Sequence, residues 1–165
     1  ARGGVVLYPT EGVWGLGCDP ANPAALRHLL KLKRRPARKG LILIGADASQ
    51  LRRFSRGAGL EPPPGRPTTL LVPAATSVPR LVRGQHQSVA LRVCQHAAAA
   101  ALCRNFGGAI TSTSANISGF STPVGRWACL RQWGPRVAAV VPGQPNAQAQ
   151  PSRIFDTVSG QWIRQ

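Results

Sequence analysis

The sequence predicts an α/β domain built on a mixed sheet with helices packed against it, and three observations carry that reading. Short β-rich runs such as "GVVLY" and "GLILIG" alternate with helical stretches such as "NPAALRHLLKLK". Other strands, "TLLVP" and "SVALRV" among them, follow each other without a helix between, which argues against an all-parallel doubly wound sheet. A length of 165 residues with 43% hydrophobic content suits one domain, 1–165, with a real core and no internal repeat or linker.

In chain order, "GGVVLY" (3–8) reads as a buried strand. "YPTEGVWGLGCDP" (8–20) then gathers Gly12, Gly15 and Gly17 with Glu11 and Asp19. Its GxxGxG spacing is not the dinucleotide fingerprint, and no Walker pattern occurs anywhere. Two readings stay open there: a plain glycine-rich turn between strands, or backbone that approaches a ligand closely, with Thr10 offering a hydroxyl at a strand end. Residues 22–33 predict a helix capped by Asn22, with Pro23 at its first position and Leu26, Leu29 and Leu30 on one face. A strand at 40–46 follows, then a helical "ASQLRRF" capped by Asp47, and a Gly/Pro-rich loop at 55–67. "TLLVP" and "SVALRV" (88–93) are strands, "HAAAAALCRNF" a helix, and "AITSTS" (109–114) a strand. A polar loop at 115–125 leads to a short helix near 126–133 and the strand "RVAAVVP". After a flexible 143–152, "RIFDTV" and "QWIRQ" form a hairpin through Ser159-Gly160.

The net charge is +16, from 21 Lys and Arg against five Asp and Glu. Codon bias accounts for arginine in place of lysine; it does not account for the shortage of acids. A field this positive draws polyanions, RNA or a nucleoside triphosphate, toward the surface. The four cysteines lack paired spacing and read as buried free thiols, with no metal site. No apolar run reaches the roughly 18 residues of a spanning helix, and no signal segment opens the chain, so the expectation is a cytoplasmic protein without a membrane partner.

Three further constellations can carry chemistry. "KLKRRPARKG" (31–40) holds six cations in ten residues. It is either a solvated helix tail favoured by the dipole or, with Pro36 ending the helix, a loop where Lys33, Arg35 and Lys39 converge on an anion. "TSTSANISG" (111–119) puts Ser112 and Ser114 on one side of a strand end, where α/β sheets bind ligands, with Asn116 beyond. "SVALRV" alternates Val89, Leu91 and Val93 against Ser88, Ala90 and Arg92. A guanidinium inside such a strand needs a carboxylate, either a ligand's or that of Glu11 or Asp19.

Taken in series, "YPTEGVWGLGCDP", "LKRRPARKGLILI", "SVALRV", "TSTSANISG" and "VVPG…PSRIFD" resemble the YrdC/TsaC family of threonylcarbamoyl-AMP synthases. The resemblance covers nearly the whole chain from about Val6. It implies a twisted, mostly parallel mixed sheet with a large basic concave cavity. It also implies condensation of L-threonine, bicarbonate and ATP, with Mg²⁺, into threonylcarbamoyl-adenylate and pyrophosphate. Transferase-complex proteins then pass the group to an adenosine of tRNA, which the synthase itself meets weakly or indirectly.

By the same resemblance Thr10, Arg92 and Ser112 bind threonine. Lys33, Arg35, Lys39, Ser88, Ser114, Asn116 and Ser152 bind ATP, and no side chain acts as a covalent nucleophile. The chain departs from the family in lacking an N-terminal helix, in a shortened 55–67 segment with Arg66 near an expected glycine, and in Arg153 where threonine is usual; Thr69 still matches. A reading from a different class is a non-catalytic module that binds double-stranded RNA or tRNA through the same cavity, although no RRM, KH or interleaved-aromatic signature is present.

Overall fold

The computed structural model describes residues 3–57, 60–123, 125–146 and 152–165; the expected loops at 55–67, 115–125 and 143–152 therefore lie partly outside the described residues. The strands are β1 (Val6–Pro9), β2 (Trp14–Gly17), β3 (Ile42–Gly45), β4 (Thr68–Pro73), β5 (Ser88–Val93), β6 (Ile110–Ser114), β7 (Ala139–Val140), β8 (Arg153–Asp156) and β9 (Gln161–Arg164). The helices are α1 (Pro23–Leu32), α2 (Ser49–Arg52), α3 (Arg80–Arg83), α4 (Ala97–Phe106) and α5 (Arg126–Trp133), with 3₁₀ turns at Ala37–Lys39 and Gly134–Arg136.

The strands form one sheet in the order β7-β1-β2-β6-β3-β5-β4-β8-β9. It is mixed, as expected, but the expected parallel majority does not form. Among the described residues only β1–β7, β3–β5 and β4–β8 run parallel, whereas β1–β2, β2–β6, β3–β6, β4–β5 and β8–β9 are antiparallel. The cause is local: the glycine-rich stretch after β1 is a strand, β2, folded straight back as a hairpin. Thr10 to Val13 make that turn, with Thr10 N–H donating to Val13 O at 3.0 Å and the Thr10 hydroxyl to the same oxygen at 2.6 Å. The "RVAAVVP" segment, read as a full strand, pairs only at Ala139 and Val140.

Strand alternation sorts the core into two layers. Leu7, Leu16, Leu43 and Leu91 pack with Leu26 and Leu29 of α1 and Trp133 of α5. Their neighbours Tyr8, Ile44 and Ile110 face the other way, onto Ala99, Ala100 and Cys103 of α4. All four cysteines are buried and free. Helix α4 packs on β1 and β3, and beyond it the same sheet face opens onto the main cavity. Arg92 is there because it pairs in register with Ile44, Ser112 because it pairs with Ile42, and Gly15 because it pairs with Tyr8. This part of the face is the cavity floor.

Helix α1 begins as its sequence requires, with Asn22 Oδ1 accepting the N–H groups of Ala24 and Ala25, each at 3.0 Å. Its end is less ordinary. Arg34 adopts a left-handed φ of 49°, while Arg35 N–H reaches Leu30 O at 2.9 Å and Arg34 N–H reaches Lys31 O at 3.1 Å. This is a Schellman closure with arginine where glycine is favoured, at a cost of about 1 kcal/mol. It turns the chain so that Arg35 lines the cavity.

Candidate active site

The main cavity has a volume of about 480 Å³, within the range of small-molecule sites. Thr10, Glu11 and Gly15 come from the β1–β2 hairpin, Arg92 from β5, and Ser112, Thr113 and Ser114 from β6. Arg35 and Thr122 close two sides, and Ser152 with Arg164 come from the C-terminal hairpin. Three arginines thus face one glutamate. A second hollow of about 180 Å³ shares Arg35 and Ile42 with the first and adds Lys39, Arg83, His86 and Ser88.

Sequence reasoning singled out ten residues, and their positions differ. Thr10, Arg35, Arg92, Ser112, Ser114 and Ser152 line the main cavity; Lys39 and Ser88 line the adjoining hollow with Arg35. Asn116 lies behind Ser114 and accepts its hydroxyl hydrogen at 2.5 Å. Lys33, expected to reach phosphates, is 2% exposed and sits beneath the floor. Its ammonium donates to Ser114 O and Asn116 O. Burial, with Arg35 nearby, pulls it down to about 8.

Of the carboxylates that its charge called for, Arg92 meets that of Glu11. One terminal nitrogen is 3.5 Å from Glu11 Oε2, while its Nε is buried without a partner. The other Glu11 oxygen accepts the N–H groups of Gln95 at 2.7 Å and His96 at 3.2 Å, at the start of α4. Burial opposes ionisation of Glu11, but Arg92 and these backbone donors outweigh it and hold the carboxyl below its ordinary 4.5. A depressed carboxylate contributes stability that is present above its unfolded value and lost as pH falls through the folded one. Glu11→Gln should therefore lower the melting temperature at neutrality, and the gap from the unmodified protein should close as the pH falls below about 4.5. A gap that stays constant as the pH is lowered would assign the loss to packing instead.

Arg164 escaped the sequence reading. Its guanidinium donates twice to Ser152 O, at 3.0 and 2.5 Å, while lining the cavity. "QWIR" reads as an exposed edge, and only the pairing of β8 with β4 brings it inward. Arg153 lies 4.5 Å from the Trp162 ring and donates to Pro64 O at 3.1 Å, tying the shortened loop to the hairpin. Among the described residues no group of three or more His, Cys, Asp or Glu is placed to hold a metal ion. Glu11, the carboxylate in the cavity, is already engaged on both oxygens, so these residues do not fit a protein-held Mg²⁺.

Fold and cavity together define an α/β domain with an arginine- and hydroxyl-lined pocket on the open face of a mixed sheet, suited to a small polar substrate carrying negative charge. A profile of the Sua5/YciO/YrdC family, described as "Telomere recombination", matches residues 1–165, and the chain belongs to that family. The threonylcarbamoyl-AMP synthase of Methylococcus capsulatus (strain Bath) is 48% identical over 99% of this chain and 91% of its own length. That of Halorhodospira halophila is 45% identical, over 99% and 88%. Among solved structures, P. abyssi Sua5 complexed with L-threonine superposes with a TM-score of 0.82 at 28% identity, over 94% of this chain; the chain spans about half of that protein, 48%. E. coli YciO, at 21% identity and a TM-score of 0.78 over 98% of this chain and 84% of its own, shares the fold.

Proposed function

We propose that the chain is a threonylcarbamoyl-AMP synthase, forming threonylcarbamoyl-adenylate and pyrophosphate from L-threonine, bicarbonate and ATP. The observation that carries this reading is one cavity that joins Thr10, Arg92 and Ser112 to Arg35, Ser114 and Ser152. It is supported by relatives of that activity matched along nearly their full length. Arg92 would meet the substrate carboxylate with Thr10 and Ser112 beside it. Arg35, with Lys39 and Ser88 from the adjoining hollow and Ser114, Asn116 and Ser152 around the floor, would surround the nucleotide, and Arg164 joins that set. Lys33 belongs with these residues through the turn it holds.

The amine of threonine attacks the bicarbonate carbon and water leaves, giving a carbamate. A carbamate oxygen then attacks the α-phosphorus and pyrophosphate departs. No side chain need form a bond to substrate. The residues act by holding the reactants together and by offering fixed cations to the charge that develops on the phosphates. Mg²⁺ would enter on the ATP phosphates, as part of the substrate. The product would pass to transferase proteins for tRNA modification, with tRNA itself held weakly through the +16 field.

Calorimetry tests this reading against the RNA-module alternative. Saturable threonine binding that strengthens when ATP is present is the expected result. Tight, sequence-selective RNA binding at physiological salt, with no threonine heat, would favour the module.

A further inference from the structure

Three consecutive carbonyls of the turn that ends β6 are held from beneath. The Lys33 ammonium donates to Ser114 O and, at 2.6 Å, to Asn116 O, with Asn116 Oδ1 at 3.4 Å. Between them, the Ala115 carbonyl accepts the Trp133 indole N–H at 2.8 Å. The backbone carbonyl of Lys33 accepts Ser118 N–H, also at 2.8 Å, closing the far side.

Lys33 and Trp133 are both fully buried, and on the other side of the turn Ser114 lines the cavity. Burying an ammonium is costly unless its donors are met, and here three acceptors match its three N–H groups. Two carbonyl oxygens aimed at one point repel each other. A cation between them reverses the sign of that interaction, which no apolar side chain of the same length can do. A lysine chosen for phosphate contact would keep its ammonium at the surface of the hollow. This one is turned away from it.

We propose that Lys33 is a positioning residue, which fixes the Ser114–Asn116 turn from below so that the Ser114 hydroxyl is held at the cavity wall, and which does not itself touch the nucleotide. The inference rests on the synthase reading for its kinetic consequence alone; the order of the turn is measurable without turnover. Trp133 shares the task through Ala115. The depressed Lys33 ammonium fits a site of converging backbone oxygens rather than one open to phosphate.

The test combines backbone amide NMR, nucleotide calorimetry and steady-state kinetics on Lys33→Met and Trp133→Phe. For folded Lys33→Met, the amides of 114–118 should move while those around Arg35 and Lys39 stay. The kcat for pyrophosphate release should fall about 100-fold, as displacement by about 1 Å can cause, and any loss of ATP affinity should come with the moved turn, which carries Ser114 and Asn116. ATP affinity lost with the turn resonances unmoved would make Lys33 a phosphate ligand and overturn the proposal. A displaced turn with normal kcat would also overturn it. If Lys33→Met does not fold, Trp133→Phe should show the same moved turn and lowered kcat on a smaller scale, and normal kcat with a displaced turn there would be equally decisive. A wild-type protein that releases no pyrophosphate would overturn the synthase reading, and the amide shifts would still decide whether Lys33 holds the turn.

Discussion

Arg92→Lys should fold, bind ATP normally and need about tenfold or more threonine to reach the same rate. The positive charge opposite Glu11 survives the change, so the ion pair that anchors the strand end is retained. What is lost is the planar fork, with which a guanidinium meets a carboxylate through two parallel hydrogen bonds; an ammonium offers only a point charge. A missing charge-assisted contact of this kind costs about 1–3 kcal/mol, the origin of the tenfold figure. The buried Nε of Arg92, without a protein partner, marks the guanidinium as incompletely used by its own chain. Kinetics at varied threonine, run beside a melting curve, separate the two duties of the residue. A lowered melting temperature with unchanged threonine dependence would reduce Arg92 to the partner of Glu11.

Gly17→Ala should be the most damaging single methyl group in the molecule's centre. A Cβ there would lie 2.1 Å from the backbone oxygen of Thr111 and 3.1 Å from the Tyr8 ring. The first neighbour is main chain of β6 and cannot swing aside. We expect a loss of about 3 kcal/mol or more, seen as a fall of about 10 °C in melting temperature. Gly134→Ala is the control, since nothing lies within 4 Å of the added carbon. Equal melting temperatures for the two variants would contradict the close approach of β2 and β6.

That same glycine shows where the sequence was legible and where it was not. Strand β5 and helix α5 fall on their expected residues, 88–93 and 126–133, because each is bounded by strong local signals. Helix α1 likewise starts at its Asn-Pro cap. Strand β2 was hidden because "WGLG" carries two glycines, which weaken any strand reading. They are present because Tyr8, Thr10 and the Thr111 carbonyl press against that strand from other parts of the sheet. The antiparallel majority follows from the same missed strand.

The site divides similarly. Arg92 was recognisable as a charge on an apolar strand, and its two candidate partners were both foreseeable from burial cost. The direction in which Lys33 points was not. Six neighbouring cations look alike in sequence, and only the contact of Lys33 with the turn after β6 selects one of them for burial. Arg164 depends on a pairing between β4 and β8, segments more than 80 residues apart, for which no local signal exists.

The most direct measurement is pyrophosphate release from ATP by the purified chain, with threonine and bicarbonate each omitted in turn. Release that requires both together, and that yields threonylcarbamoyl-adenylate in equal amount, is the expected result. Release that proceeds without threonine, or none at all from a folded chain that binds ATP, would contradict the assignment of this cavity to threonylcarbamoyl-adenylate synthesis.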